Sequence, residues 1–422
     1  MDITEKQVER GRRLYIVQAA VEYLISILVT GAFLAKLTTH LGFDDGLTGI
    51  LSSIITLGTL FELFSLTVTK KRVKGFVVAM SVLNQILFML LYAVPFLELD
   101  GNVKKIIFFV FIIGAYFIYN IAHPHKINWF MSLVDDRKRG SFTANKEIIS
   151  LISGMIFSFA MGSLSDYFVD QGNERLSFII LAAVIFALTV GHTVIIGFTV
   201  EKDMPRETKR SVFQSFLDIV KNRKTLKVAG IFVIYNVAYA ISVPFFGTYQ
   251  INELGFDLGF VSIAAMIGSV ARVLVSKLWG AYADKTSFAN MMEKCLLVLA
   301  AAMLCAALAT PSTGRIMFVL YNIFFAAALG GINSAWINLI FDYVAPDGRT
   351  TSLAICQAIS GAVGFFATLA VSPLISLVQN NGNSVFGIPI YAQQLLSIVS
   401  VVILLLAALY VRFVLSKEKK GS

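Results

Sequence analysis

Twelve apolar runs, each long enough to cross ~30 Å of hydrocarbon as a helix, decide what this chain can fold into. They fall at about 14–40, 46–69, 74–97, 104–134, 142–168 and 176–200, then at about 226–252, 258–283, 290–310, 315–344, 350–378 and 388–414. Lipid offers the backbone no hydrogen bonds, so such runs must satisfy their own N–H and C=O groups as helices. Charged residues make up 14% of the chain, against ~25% in soluble domains. The expected fold class is an all-α integral membrane protein with twelve transmembrane helices.

The basic residues orient these spans. With the N-terminus and every second loop assigned to the cytoplasm, 28 of the 35 basic residues lie in cytoplasmic segments or within two turns of them, Lys104, Lys105, Arg175 and Arg315 fall outside, and Lys36, Lys126 and Arg272 fall deep within spans. The positive-inside rule then places both termini in the cytoplasm. The +9 net charge reports this topology, and no nucleic-acid partner is expected. The polar start, Met1 to Arg13, meets the first span without a small-residue cleavage site, so no cleaved signal peptide is expected. No Asn stands in an N-x-[ST] acceptor, which favours a bacterial cell membrane over a glycosylated surface. Cys295, Cys305 and Cys356 are odd in number and lack metal-ligand spacing, which argues against a disulfide framework or a zinc site.

The chain repeats itself. LGFDDG (Leu41 to Gly46) recurs as LGFDLG (Leu254 to Gly259), and the fourth and fifth spans recur without gaps. Ile127-Asn128 becomes Ile337-Asn338, Arg139 becomes Arg349, and Ala144, Ser150 and Gly154 become Ala354, Ser360 and Gly364. Both copies start inside, so the repeat is parallel, about an axis along the membrane normal. The expected organisation is a six-helix bundle over 1–200, a cytoplasmic linker over 201–225 and a second bundle over 226–422. In the linker, Val212, Phe213, Phe216, Leu217 and Val220 share one stripe, the pattern of an amphipathic helix at the membrane surface.

Gly280-Ala-Tyr-Ala-Asp284-Lys285, between the eighth and ninth spans, resembles the G-x-x-x-D-[RK] opening of the cytoplasmic loop motif of the major facilitator superfamily, a resemblance that extends over essentially the whole chain. It implies a secondary transporter whose halves rock around a central cavity lined by spans one, four, seven and ten. The glycine-proline signature of that family's antiporters is absent from ISGMIFSFAMG, which favours uptake. The same resemblance gives Gly280, Asp284 and Lys285 a gating role. Pseudo-symmetry is expected to bring Asp284 near the start of span five, with Arg139 and Arg349 joining the cluster when the cytoplasmic side closes.

Residues three or four apart share a helix face. On the implied cavity face, span four presents Ile112, Tyr116, Tyr119, His123 and Lys126, and span ten presents Asn322, Ala326, Leu329, Asn333 and Trp336. Span one presents Glu22, Tyr23, Ser26, Val29 and Phe33 where span seven presents Tyr235, Asn236, Tyr239, Ser242 and Phe246. Residues that differ between the copies suit a solute without two-fold symmetry. Asn128 and Asn338, alike in both, suit the scaffold. His123 and His125 point about 200° apart on a helix, which disfavours a shared metal, and His125 reads as a hydrogen-bonded interior residue. Amides and hydroxyls among aromatic rings suit a polyhydroxylated solute, although aromatics at helical spacing also serve plain packing.

A charge near mid-span costs roughly 2.5–3.5 kcal/mol on insertion scales, so each needs a partner or a task. Glu22, Lys126 and Glu62 each lie eight residues from a cytoplasmic span end, ~12 Å deep at helical rise. Glu22 and Lys126 are the expected pair, read either as a proton-coupling site or as an inert clasp. Glu62 is the next coupling candidate. Arg272 is read as a substrate anchor or a partner for Glu62, and Lys36 as a snorkelling cation near the outer end. The expected function is proton-coupled uptake of a small polar solute such as a sugar or glycoside. A proton-coupled multidrug or lipid antiporter is the alternative, and a non-transporting receptor on a transporter fold is a third, from another class. The chain is expected to act as a monomer in the bilayer, with solute and protons as partners and without cofactor, metal or enzymatic activity. No nucleophile–base pair or phosphate-binding glycine loop is present in the sequence. Cysteines placed at Asp44 and Asn381 are expected to react with impermeant maleimide added to intact cells; labelling only after lysis would invert the topology.

Overall fold

In the computed structural model, which describes residues 4–67, 72–134, 139–202, 223–343 and 349–415, the chain is a succession of long helices. The first half holds α1 (Glu5–Leu28), α2 (Gly31–His40), α3 (Asp45–Phe61), α4 (Lys74–Leu91), α5 (Gly101–Met131), α6 (Arg139–Asp170) and α7 (Glu174–Phe198). The second half holds α8 (Arg223–Ala240), α9 (Leu258–Lys285), α10 (Phe288–Ala307), α11 (Gly314–Tyr343), α12 (Arg349–Asn380) and α13 (Ala392–Tyr410). A small hairpin, β1 (Ser384–Val385) with β2 (Ile388–Pro389), joins α12 to α13. Eleven helical runs are long and apolar enough to cross a membrane, with α1 and α2 counted together, and α3 is a shorter apolar helix that continues as a 3-10 stretch over Glu62–Thr67. These are the twelve expected spans. The amphipathic stripe at Val212 to Val220 lies outside the described residues.

Two compact units emerge from the contacts. One comprises residues 1–43, 61–209 and 257–262; the other comprises 44–60, 210–256 and 263–422. In the first, α1 packs on α6 and α7, and α4 packs on α5 and α7. In the second, α8 packs on α12 and α13, and α10 packs on α11 and α13. The sequence repeat maps each pair onto its counterpart, so the copies share a packing pattern as well as residues. At the base of the first unit, Tyr15 stacks on Phe130 at 4.6 Å and Trp129 Nε1 donates to the Val200 carbonyl at 2.9 Å.

The repeated LGFD turn is a scaffold device. Gly42 (φ +71°) and Gly255 (φ +65°) are left-handed, a conformation that costs glycine nothing. One residue later Phe43 and Phe256 turn inward, each 5% exposed. Asp44 Oδ1 then accepts from the Leu47 N–H at 2.8 Å, and Asp257 Oδ1 from the Phe260 N–H at 2.6 Å. Each aspartate caps the helix that follows.

The first and seventh spans are both interrupted. α1 stops at Leu28 and α2 restarts at Gly31 (φ +55°). α8 stops at Ala240, and a 3-10 turn, Val243–Phe245, holds Pro244. An interruption strands carbonyls, and neighbouring side chains answer them. The Tyr92 hydroxyl donates to the Leu28 carbonyl. Pro244 has no N–H to give the Ala240 carbonyl, and Thr368 Oγ1 supplies the donor at 2.7 Å. Ser400 Oγ donates to the Ala238 carbonyl at 2.6 Å. Thr368→Val keeps the shape and removes the donor, and is expected to lower stability by about 1 kcal/mol. Thermal unfolding in detergent checks this, and an unchanged midpoint refutes it.

Candidate functional site

In the first unit, helical spacing on α5 lays Tyr119, His123 and Lys126 along one face. Lys126 is buried, and its ammonium pairs with the Glu22 carboxylate from α1. The side chains are 4% and 22% exposed, so the pair is shielded from water, where an ion pair has most to lose if broken. Tyr119 lies beside the ammonium, 5.3 Å from Nζ to its ring centroid, and stacks on His123 at 5.1 Å. His123 Nδ1 is 3.4 Å from Glu62 Oε1. Two acid–base pairs, Glu22–Lys126 and His123–Glu62, therefore flank one phenol ring.

Within the first unit Glu62 is therefore paired with His123. Glu62 opens the 3-10 stretch that packs on α5, a local geometry that helical periodicity could not supply. His125 turns elsewhere: Nε2 lies 2.9 Å from the Ser65 carbonyl, and Phe76 packs edge-on at 6.0 Å. Among the described residues the two histidines share no partner. α5 runs unbroken through Pro124. Of the other expected cavity residues, Tyr116 is buried edge-on against Phe88 at 5.4 Å, and Ser26 Oγ donates to the Tyr23 carbonyl at 2.7 Å. Tyr23 lies over Gly154, where any Cβ would strike its ring.

In the second unit the matching faces are aromatic. Trp336 packs on Phe232 at 4.0 Å and edge-on to Tyr235 at 5.1 Å, and Tyr239 approaches Phe325 at 6.2 Å. Asn236 and Asn322 each spend one amide hydrogen on their own helix, donating to the Phe232 and Phe318 carbonyls at 3.1 and 2.8 Å. Asn333 is exposed. Arg272 lies along α11 where Gly330 leaves room; a Cβ there would sit 3.5 Å from Arg272 Cγ. Asn338 donates to the Ser334 carbonyl at 2.8 Å.

Three contacts escaped the sequence reading. Lys36 does not snorkel: Nζ reaches Asp166 Oδ1 at 3.2 Å and Ser165 Oγ at 3.3 Å, with its side chain 14% exposed. Asp166 Oδ2 also accepts from the Gly259 N–H at 2.7 Å, in the first turn of α9. That turn is close to α6, since a Cβ on Gly162 would meet the Leu258 carbonyl at 3.0 Å. Gln379 Nε2 lies between two carboxylates in the second unit, 2.8 Å from Asp45 Oδ2 and 2.6 Å from Glu253 Oε1. Asn252 and Asn383 supply further amide donors, to Asp45 at 2.7 Å and Glu253 at 2.9 Å. His192 is enclosed between Gln18 and Gln85. Its one legible sign was a polar triplet scattered through apolar runs.

Of the expected gating residues, Asp284 and Lys285 are exposed, and open space surrounds Gly280. Asp284 makes no hydrogen bond or ion pair among the described residues. The side chains of Arg139 and Arg349 lie outside the described residues.

The family profile of the Major Facilitator Superfamily matches residues 14–368. No curated protein matches the chain. A crystal structure of a mutant of the nucleoside transporter NupG superposes with a TM-score of 0.73 at 14% identity, covering 95% of this chain and 99% of that one. A bacterial homologue of the human lysosomal transporter Spinster, crystallised inward-facing and unoccupied, gives 0.65 at 13% identity, covering 98% and 96%.

The carboxylate of Asp166 faces a helix N-terminus, an interaction worth up to ~2 kcal/mol when partly buried. Asp166→Asn is expected to loosen the first turn of α9 from α6. A cysteine replacing Ser262, which is 4% exposed and donates to the Ser158 carbonyl at 3.1 Å, should then react faster with a polar maleimide. Equal rates in both backgrounds refute the role.

Proposed function

Because the chain belongs to the major facilitator superfamily, a family of transport proteins rather than enzymes, we propose that it is a proton-coupled secondary transporter taking up a small polar solute by alternating access. In this reading it lies in a bacterial cell membrane with both termini cytoplasmic and works as a monomer. The observation that carries the coupling is the shielded Glu22–Lys126 pair. A carboxylate loses its proton more readily beside an ammonium and keeps it when the ammonium leaves. A proton arriving at Glu22 therefore frees Lys126, which already leans on the Tyr119 ring, and departure of the proton restores the clasp. Neither step strands a lone carboxylate, whose burial without a partner costs about 3–5 kcal/mol.

The aromatic row of the second unit supports a glycoside as the solute, because the apolar faces of sugars and bases stack on rings. NupG is a nucleoside transporter, and a nucleoside is a glycoside; at 14% identity that likeness carries the fold alone, so the rings support the class. Asp284, with Arg139 and Arg349, retains its proposed role in closing the cytoplasmic side.

Radiolabelled uridine and a methyl glycoside serve as probes in membrane vesicles with an imposed proton gradient. The wild type is expected to accumulate one of them. Glu22→Gln should still equilibrate the probe but lose accumulation, and its counterflow should become insensitive to pH. Lys126→Ala should move the pH optimum of uptake upward, since the carboxylate has lost the cation that favours its ionised form. Accumulation by Glu22→Gln moves the coupling site, with Glu62 next in line. Efflux against the gradient favours the antiporter.

A further inference from the structure

We infer that His192 is a positioning residue for Glu22, setting the height and rotation of α1 so that the carboxylate meets Lys126; the inference rests on the coupling role proposed for Glu22. His192 has no exposed surface, and Gln18 and Gln85 are 1% and 2% exposed. Gln85 Nε2 lies 2.8 Å from Nδ1 of the ring, and Gln18 Oε1 lies 3.0 Å from Nε2. An amide nitrogen donates and an amide oxygen accepts, so Nδ1 accepts and Nε2 carries the hydrogen. The ring is a neutral imidazole in one tautomer, and turning both amides over would give the other neutral tautomer. An imidazolium would set its second N–H against the Gln85 amide hydrogens.

This bridge ties three helices at one level: α1 through Gln18, α7 through the ring and α4 through Gln85. The preceding residue on α4, Asn84, is buried and donates to the Ala115 carbonyl of α5 at 2.9 Å. A line of hydrogen bonds thus runs from the helix of Glu22 to the helix of Lys126 without passing through the ion pair. Gln18 stands one turn before Glu22 on the same face of α1, so displacing Gln18 displaces the carboxylate. The other amide atoms, Gln18 Nε2 and Gln85 Oε1, are buried without partners among the described residues. Leaving polar atoms unsatisfied in a core is unfavourable, so the bridge carries a cost that packing alone does not explain. Among the described residues, Glu22 and Lys126 are the charged groups that act on the ring.

The test reads Glu22 without needing the solute. In the full-length protein reconstituted in lipid, the protonated-carboxyl infrared band that Glu22→Gln removes is titrated with pH. His192→Leu is expected to move its midpoint upward by about half a unit or more, in the direction of Lys126→Ala. His192→Gln offers one donor and one acceptor at the same place, never becomes charged, and should restore the wild-type midpoint. The double variant with Lys126→Ala should shift no further than Lys126→Ala alone, because the two act through one contact. Gln18→Leu breaks the same bridge and stands in if His192→Leu does not fold. An unchanged midpoint in both leucine variants overturns the inference, as does a His192→Gln shift as large as that of His192→Leu. A wild-type band that does not titrate overturns the coupling role of Glu22, and the inference with it.

Discussion

A backbone carbonyl stranded in hydrocarbon must find a donor within the protein, and much of this structure follows from that demand. It keeps the spans helical, and it sets the terms on which the first and seventh may break. Tyr92 answers the first interruption, and Thr368 and Ser400 answer the second. Interruptions at corresponding places in the two copies are where transporters of repeated design commonly place binding sites. Here they lie one helical stretch beyond the Glu22 face and the Tyr235–Tyr239 face, which come from the same two spans.

The polar side chains obey a second form of the same demand. Lys126 and Glu22, His123 and Glu62, and Lys36 and Asp166 are each mutual solutions to charge at depth. They differ in what they can do. Lys36–Asp166 also engages a backbone N–H and two serines, so it holds a geometry. The pairs on α5 are joined by an aromatic ring and have fewer fixed partners, so they are better placed to change state.

Spans and repeat were legible because length, hydropathy and residue identity at a fixed offset are one-dimensional properties. Depth was legible too: counting residues from a span end brought Glu22 to the level of Lys126. Azimuth across helices was not. Nothing in the periodicity of span two says that its end tightens into a 3-10 stretch, which is what turns Glu62 towards His123. Lys36 looked like a snorkelling cation because its anion is 130 residues away in the chain. The break at Gly31 does leave a trace, a glycine within an apolar run aligned with Pro244 in the other copy. The Gln18–His192–Gln85 bridge depends on three helices meeting, which no single-span pattern encodes.

The two LGFD turns have the same left-handed glycine, the same inward phenylalanine and the same capping aspartate. They differ at one position, where Asp45 stands in one copy and Leu258 in the other. Leu258 is 1% exposed, and Asp45 gathers the amides of Gln379 and Asn252. As pieces of backbone the loops are interchangeable; as surfaces for recognition they are not. A single side chain divides a duplicated turn into one corner that offers a backbone N–H to a carboxylate and one that offers a carboxylate to amides.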